Sequence, residues 1–150
     1  MGAMNEQLAR SDPDRTGPTS SRRSLRLLLV DDSVVILERL ARVLSGLACV
    51  EVVGSAADVA SAVREIEALE PELIVLDASL GRADGAEVLR HVTRNRPGID
   101  VLVFSNDDAR SSRERFLKAG ASGYFDKSLE FDALREAIIA RARAGSTGSG

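Results

Sequence analysis

The 150-residue chain has a single cysteine, Cys49, which excludes a disulfide framework and any cysteine-built metal site. A solitary thiol suits a reducing compartment, so a cytoplasmic location is expected. No apolar run approaches the roughly 20 residues that a membrane-spanning helix needs. The opening stretch, MGAMNEQLARSDPDRTGPTSSRR, lacks the apolar centre of a secretion signal. Net charge is only −3, so neither nucleic acid nor an anionic membrane is implied as a direct partner. Also missing are a G-x-G-x-x-G turn and a G-x-x-x-x-G-K-[ST] loop, which argues against a nucleotide- or flavin-binding enzyme.

What is present fits one globular domain. Apolar residues make up 44% and charged residues 29%. Residues 1–23 are rich in Ser, Thr, Pro, Gly and Arg, and are expected to be a disordered tail. Residues 24–143 carry the folded domain, and 144–150, ending in GSTGSG, read as a second flexible tail.

Five short apolar runs punctuate the domain: Leu25–Val30, Val50–Val53, Leu73–Leu76, Val101–Phe104 and Gly123–Phe125. LRLLLV, LIVL and VLVF are almost continuously apolar, as strands covered on both faces are. Helical spacing separates them. Ile36, Leu40, Val43, Leu44 and Leu47 recur at steps of three and four, as do Val59, Val63, Ile66 and Leu69 after a cap at Asp58. A third helix runs from Gly85 to about Asn95, and a last from about Leu129 to Arg143 with Ser128 as its cap. The fourth, DDARSSRERFLKAG, offers little but Ala109 in its first two turns, with Phe116 and Leu117 arriving late. It should open more easily than its neighbours. Strand and helix alternating five times predict a parallel sheet wound on both faces by right-handed crossovers. Ligands of such sheets sit beyond the C-terminal strand ends.

Those ends carry chemistry. The first strand runs into Asp31 and Asp32, the third into Asp77, the fourth into Ser105 and Asn106, and the fifth into Asp126 and Lys127. Singly, each has a plainer explanation, such as a helix cap for the Asp pair. Jointly, three carboxylates on one sheet edge repel one another unless a cation intervenes, and a hard divalent ion such as Mg²⁺ suits them. A lysine opposite supplies positive charge for a phosphoryl group, and a serine hydroxyl can donate to the same oxygens. Asp77 is then placed as a nucleophile toward phosphorus.

The motifs VDD (30–32), LD (76–77), DG (84–85), FS (104–105) and AGASGYFDK (119–127) resemble those of response-regulator receiver domains of two-component signalling. Ser105 lies 22 residues before Lys127, and Asp77 eight before Gly85, as in that family. The resemblance covers residues 25–141 and implies a (βα)5 flavodoxin-like fold with strand order 2-1-3-4-5. It implies Asp77 as phosphoacceptor and Mg²⁺ held by Asp31, Asp32, Asp77 and the Ser79 carbonyl. Lys127 would pair with the phosphoryl group, Ser105 would be the switch hydroxyl, and Tyr124 the aromatic that turns inward when Ser105 moves. Asn106, Asp107 and Ser79 flank the site and would modulate access and phosphate lifetime.

Three positions depart from the family pattern. Gly81 replaces a proline, which should loosen its loop; Ser128 replaces another proline; and Asn106 stands where Ala or Gly is commoner. The implied partners are a histidine kinase or phosphotransfer protein, a downstream protein target, and a second copy in a phosphorylation-dependent homodimer. The expected role is a regulatory phosphoacceptor rather than an enzyme, acting at most on its own phosphorylation and dephosphorylation. The competing expectation is a degenerate receiver that binds a partner without phosphorylation. An aspartate-nucleophile phosphatase is disfavoured because Ser79 occupies the place of its second aspartate. Only seven residues follow Arg143, which favours a stand-alone receiver over a piece of a longer regulator.

Overall fold

The structure is a computed structural model and describes residues 23–148. Of the tail expected over residues 1–23, residues 1–22 lie outside the described residues, as do residues 149–150. Seven strands and five helices follow in order: β1 (Leu25–Val30), α1 (Val34–Ser45), β2 (Val50–Ala56), α2 (Val59–Leu69), β3 (Leu73–Leu76), β4 (Ser79–Leu80), β5 (Ala83–Asp84), α3 (Ala86–Asn95), β6 (Asp100–Ser105), α4 (Arg110–Lys118), β7 (Gly123–Asp126) and α5 (Phe131–Gly148).

The main sheet is parallel with order β2-β1-β3-β6-β7. This is the doubly wound arrangement with reversed strand order that the alternation predicts. Period-2 side-chain alternation splits the core into two layers. Leu28, Val30, Ile74, Leu76, Val101 and Val103 face α2, α3 and α4. Leu27, Leu29, Leu73, Val75, Leu102 and Phe104 face α1 and α5. Both faces are covered, which is why these strands read as unbroken apolar runs. Among the described residues, no helix is long and apolar enough to cross a membrane.

Register decides what meets at the sheet's C-terminal edge. Val30 pairs with Leu76, Leu76 with Val103, and Ser105 with Asp126. Asp31 and Asp77 therefore emerge side by side, with Lys127 one step beyond Asp126. Main-chain bonds fix them: Asp77 N–H donates to the Val30 carbonyl at 2.9 Å, and Lys127 N–H to the Ser105 carbonyl at 2.9 Å.

Clear departures from the expected boundaries occur in β2 and in the last helix. β2 continues past Val53 through Gly54 and Ser55 to Ala56, because backbone pairing with β1 persists after the apolar pattern stops. The last helix begins at Phe131 rather than at about Leu129 after a Ser128 cap. Asp126 forms the preceding turn instead, its Oδ1 accepting the Ser128 and Leu129 N–H groups. Helix α5 also continues past Arg143 to Gly148, over residues expected to be a flexible tail.

Candidate functional site

The Asp pair after β1 is not a helix cap. That task falls to Ser33, whose hydroxyl accepts the Ile36 N–H at the start of α1. Asp31 is buried, with Oδ1 accepting the Ser33 N–H at 2.9 Å. Asp77 is buried likewise, and its Oδ1 takes the Ser79 N–H at 3.2 Å. Asp32 is exposed, and its Oδ2 accepts the Gly81 N–H at 2.9 Å. Oxygens of Asp31, Asp32 and Asp77 all lie within 4.8 Å of one another.

Lys127 enters this group from the end of β7. Its ammonium sits 2.7 Å from Asp31 Oδ2 and 3.0 Å from Asp77 Oδ2, with all three side chains under one-tenth exposed. Burial pushes the Asp77 carboxyl above its usual range, with Asp31 repelling it further and Lys127 opposing both. Burial acts against the Lys127 ammonium as well, yet its bonds to Asp31 and Asp77 carry it above the ordinary lysine value. One fixed positive charge thus holds two buried negative ones. Three hard oxygen donors beside it fit the ligand chemistry of Mg²⁺.

The remaining expected residues form an adjoining network. Ser105 is buried at the end of β6, and its hydroxyl accepts the Asp107 N–H at 3.1 Å. Tyr124 is buried with its ring 6.0 Å from Phe116, and its hydroxyl donates to the Asp107 carbonyl. The ring expected to turn inward on switching is inward in this structure. Burial also raises its phenol's pKa. Asp107 carries a third tie through its carboxylate, which accepts from Ser112 on α4 and is held low mainly by that bond. Asn106 is exposed at the edge of this network, and Ser79 is exposed in β4.

Sequence reasoning did not foresee the contacts of four residues, Gly81, Asp84, Arg113 and Arg115. Strands β4 and β5 form a two-residue hairpin, pairing Ser79 with Asp84 and Leu80 with Ala83. Gly81, in its turn at φ +65°, supplies the N–H that Asp32 accepts. Asp84 receives Arg115 of α4 at 3.0 Å, and Arg113 donates to the Tyr124 carbonyl at 2.9 Å. A cleft of about 250 Å³ opens between the hairpin and α4, with Ser79, Asp84, Asp107 and Arg115 among its walls. The DG motif marked Asp84, but a partner 31 positions away leaves no local signal.

The chain is similar to known proteins in sequence and in fold. The family described as "Response regulator receiver domain" matches residues 27–139. The chain is 33% identical over 122 residues to the transcriptional regulatory protein DegU of Brevibacillus brevis, spanning 81% of this chain and 52% of that protein. It is 43% identical over 104 residues to a protein-glutamate methylesterase/protein-glutamine glutaminase of Xanthomonas oryzae pv. oryzae, spanning 69% of this chain and 29% of that protein. It therefore spans about half or less of the length of these relatives. Among solved structures, the signal receiver domain of the NarL response regulator of Mycobacterium tuberculosis superposes with a TM-score of 0.74 at 30% identity, covering 81% of this chain and 98% of that one.

Proposed function

The chain belongs to the response regulator receiver domain family, and on that premise we propose that it is a phosphorylation-dependent switch with Asp77 as acceptor. The observation that carries this reading is Lys127 set between two buried carboxylates, 2.7 Å from Asp31 and 3.0 Å from Asp77. A histidine kinase or histidine phosphotransfer protein is the donor. An Asp77 carboxylate oxygen attacks phosphorus, the phosphorus–nitrogen bond of the donor breaks, and the imidazole nitrogen keeps the electron pair. Asp77 must be ionised to attack, and Lys127 favours that form against burial.

Mg²⁺ would be held by Asp31, Asp32, Asp77 and the Ser79 carbonyl, and would supply neutralisation of the charge on the transferring oxygens. Lys127 does the same from the other side. The new phosphoryl oxygens then compete for the Ser105 hydroxyl. Drawing that hydroxyl away breaks its bond from the Asp107 N–H, and Asp107 is the residue that holds Tyr124 and Ser112. The signal thus reaches α4 and the β7–α5 face, which a downstream protein or a second copy reads. The reading makes the chain a regulatory phosphoacceptor acting in the cytoplasm.

Phosphotransfer from purified, radiolabelled histidine kinases tests the donor class. The expected result is rapid movement of label from one kinase to this chain and none to Asp77→Asn. Equal labelling of that variant would rule out Asp77 as the acceptor.

A further inference from the structure

The β4–β5 hairpin is tied at both ends to elements that the switch described above does not connect. At its tip, the Gly81 N–H donates to Asp32 Oδ2 at 2.9 Å. At its base, the Asp84 carboxylate accepts the Ala86 N–H at 3.0 Å and the Arg115 guanidinium at 3.0 and 3.4 Å. Leu80 is buried and anchors the body of the hairpin to the core, so the polar ends are what can move.

The element at the far end has little apolar anchorage. Of the nine residues of α4, all described, only Phe116 is buried, and Leu117 is 38% exposed. Ala109 at its N-cap makes no side-chain cap bond. With so little apolar anchorage, three polar ties do much of the fixing: Arg115 to Asp84, Ser112 to Asp107 and Arg113 to the Tyr124 carbonyl.

We propose that the β4–β5 hairpin is a second transmission arm, carrying the state of the Asp32 carboxylate to α4 through the Asp84–Arg115 pair. This route does not pass through Ser105 or Tyr124. It rests on the reading of Asp32 as a metal ligand given above. An Asp32 oxygen drawn onto a divalent cation has less to offer the Gly81 N–H, and the hairpin tip loosens. Because Ser79 pairs with Asp84 across the ladder, displacement of the hairpin moves the carboxylate that Arg115 grips.

Amide hydrogen exchange on the full chain, with and without Mg²⁺, tests the arm in four forms: native, Asp84→Asn, Arg115→Gln and Arg115→Lys. Asn at position 84 keeps an oxygen for the Ala86 N–H, so the first turn of α3 is preserved. In the native chain Mg²⁺ is expected to speed exchange across Arg110–Lys118 about two- to fivefold, the span that an exposed ion pair governs. Asp84→Asn and Arg115→Gln are expected to abolish that response, and Arg115→Lys to retain part of it. In all four, Mg²⁺ still shifts the Gly81 and Asp77 amides. An undiminished α4 response in Asp84→Asn and Arg115→Gln would overturn the arm alone. Unmoved amides at Asp31, Asp32 and Asp77 in the native chain would overturn the metal reading and the arm with it.

Discussion

Lys127→Met is expected to lower stability at neutral pH by about 3 kcal/mol, because it strands two buried carboxylates without their counter-charge. Asp31 and Asp77 share that single ammonium, and neither side chain exceeds one-tenth exposure. The packing lost with the lysine stem is largely kept by methionine, so the effect is electrostatic. The pH dependence follows from linkage. Asp77 already binds its proton more tightly in the folded chain than in the unfolded one. Removing Lys127 widens that gap, so the variant loses stability as pH rises through and above the carboxylate range. Near pH 4, where carboxylates of the unfolded chain are about half protonated, most of the deficit should vanish. Mg²⁺ at a hundredfold excess over its Kd should restore about 2.7 kcal/mol. Urea unfolding at both pH values, with and without Mg²⁺, measures all of this. A loss that is small at neutral pH, or the same at both, would remove Lys127 from the centre of the site.

Gly85→Ala is the other substitution with a large expected effect, and conformational freedom is not the reason. Gly85 has an ordinary φ of −58°. What forbids a side chain is proximity: a Cβ there would collide with the Asp77 carbonyl oxygen and stand 2.9 Å from that of Ala78. Both are backbone atoms of the loop after β3, held by the Gly85 N–H bond to the Ala78 carbonyl at 2.7 Å. No rotamer change can relieve the overlap, so the loop must shift at about 3 kcal/mol. A displacement near 1 Å at Asp77 would slow phosphorylation on the order of a hundredfold. Gly98→Ala, with nothing within 4 Å, is the control and should leave both stability and rate unchanged. Native-like labelling by Gly85→Ala would mean that the loop does not position the acceptor.

Much of this arrangement was legible in the chain because burial on both faces writes an unmistakable pattern. Leu25–Val30 and Leu73–Leu76 are bounded as the apolar runs indicate. The carboxylates and the lysine could be placed together because parallel register turns strand ends into neighbours. Less legible were the pieces held by backbone and by distant charge. Strands of two residues carry no period, so β4 and β5 left no trace. The Gly81 N–H is a donor in every residue but proline, and only the folded turn aims it at Asp32. The scarcity of apolar anchors in α4 was visible in its composition, whereas its ties to Asp84, Asp107 and Tyr124 are made by side chains meeting across the fold. His91 shows the same limit: nothing in its local sequence points to Glu67 of α2, which it contacts at 2.9 Å. Arg96, with His91 adding to it, holds that Glu67 carboxyl down to about 2.

The central claim is that Asp77 takes a phosphoryl group in a metal-dependent reaction. The most direct measurement is the intact mass of the chain after incubation with a small acyl phosphate. It is made with Mg²⁺, with chelator in its place, and on Asp77→Asn. The account calls for the gain of one phosphoryl group with Mg²⁺, and for no gain with chelator or in the variant. An unmodified native chain under conditions where Mg²⁺ is bound, and again in Asn106→Ala, would contradict it and leave a receiver that binds its partner without phosphorylation.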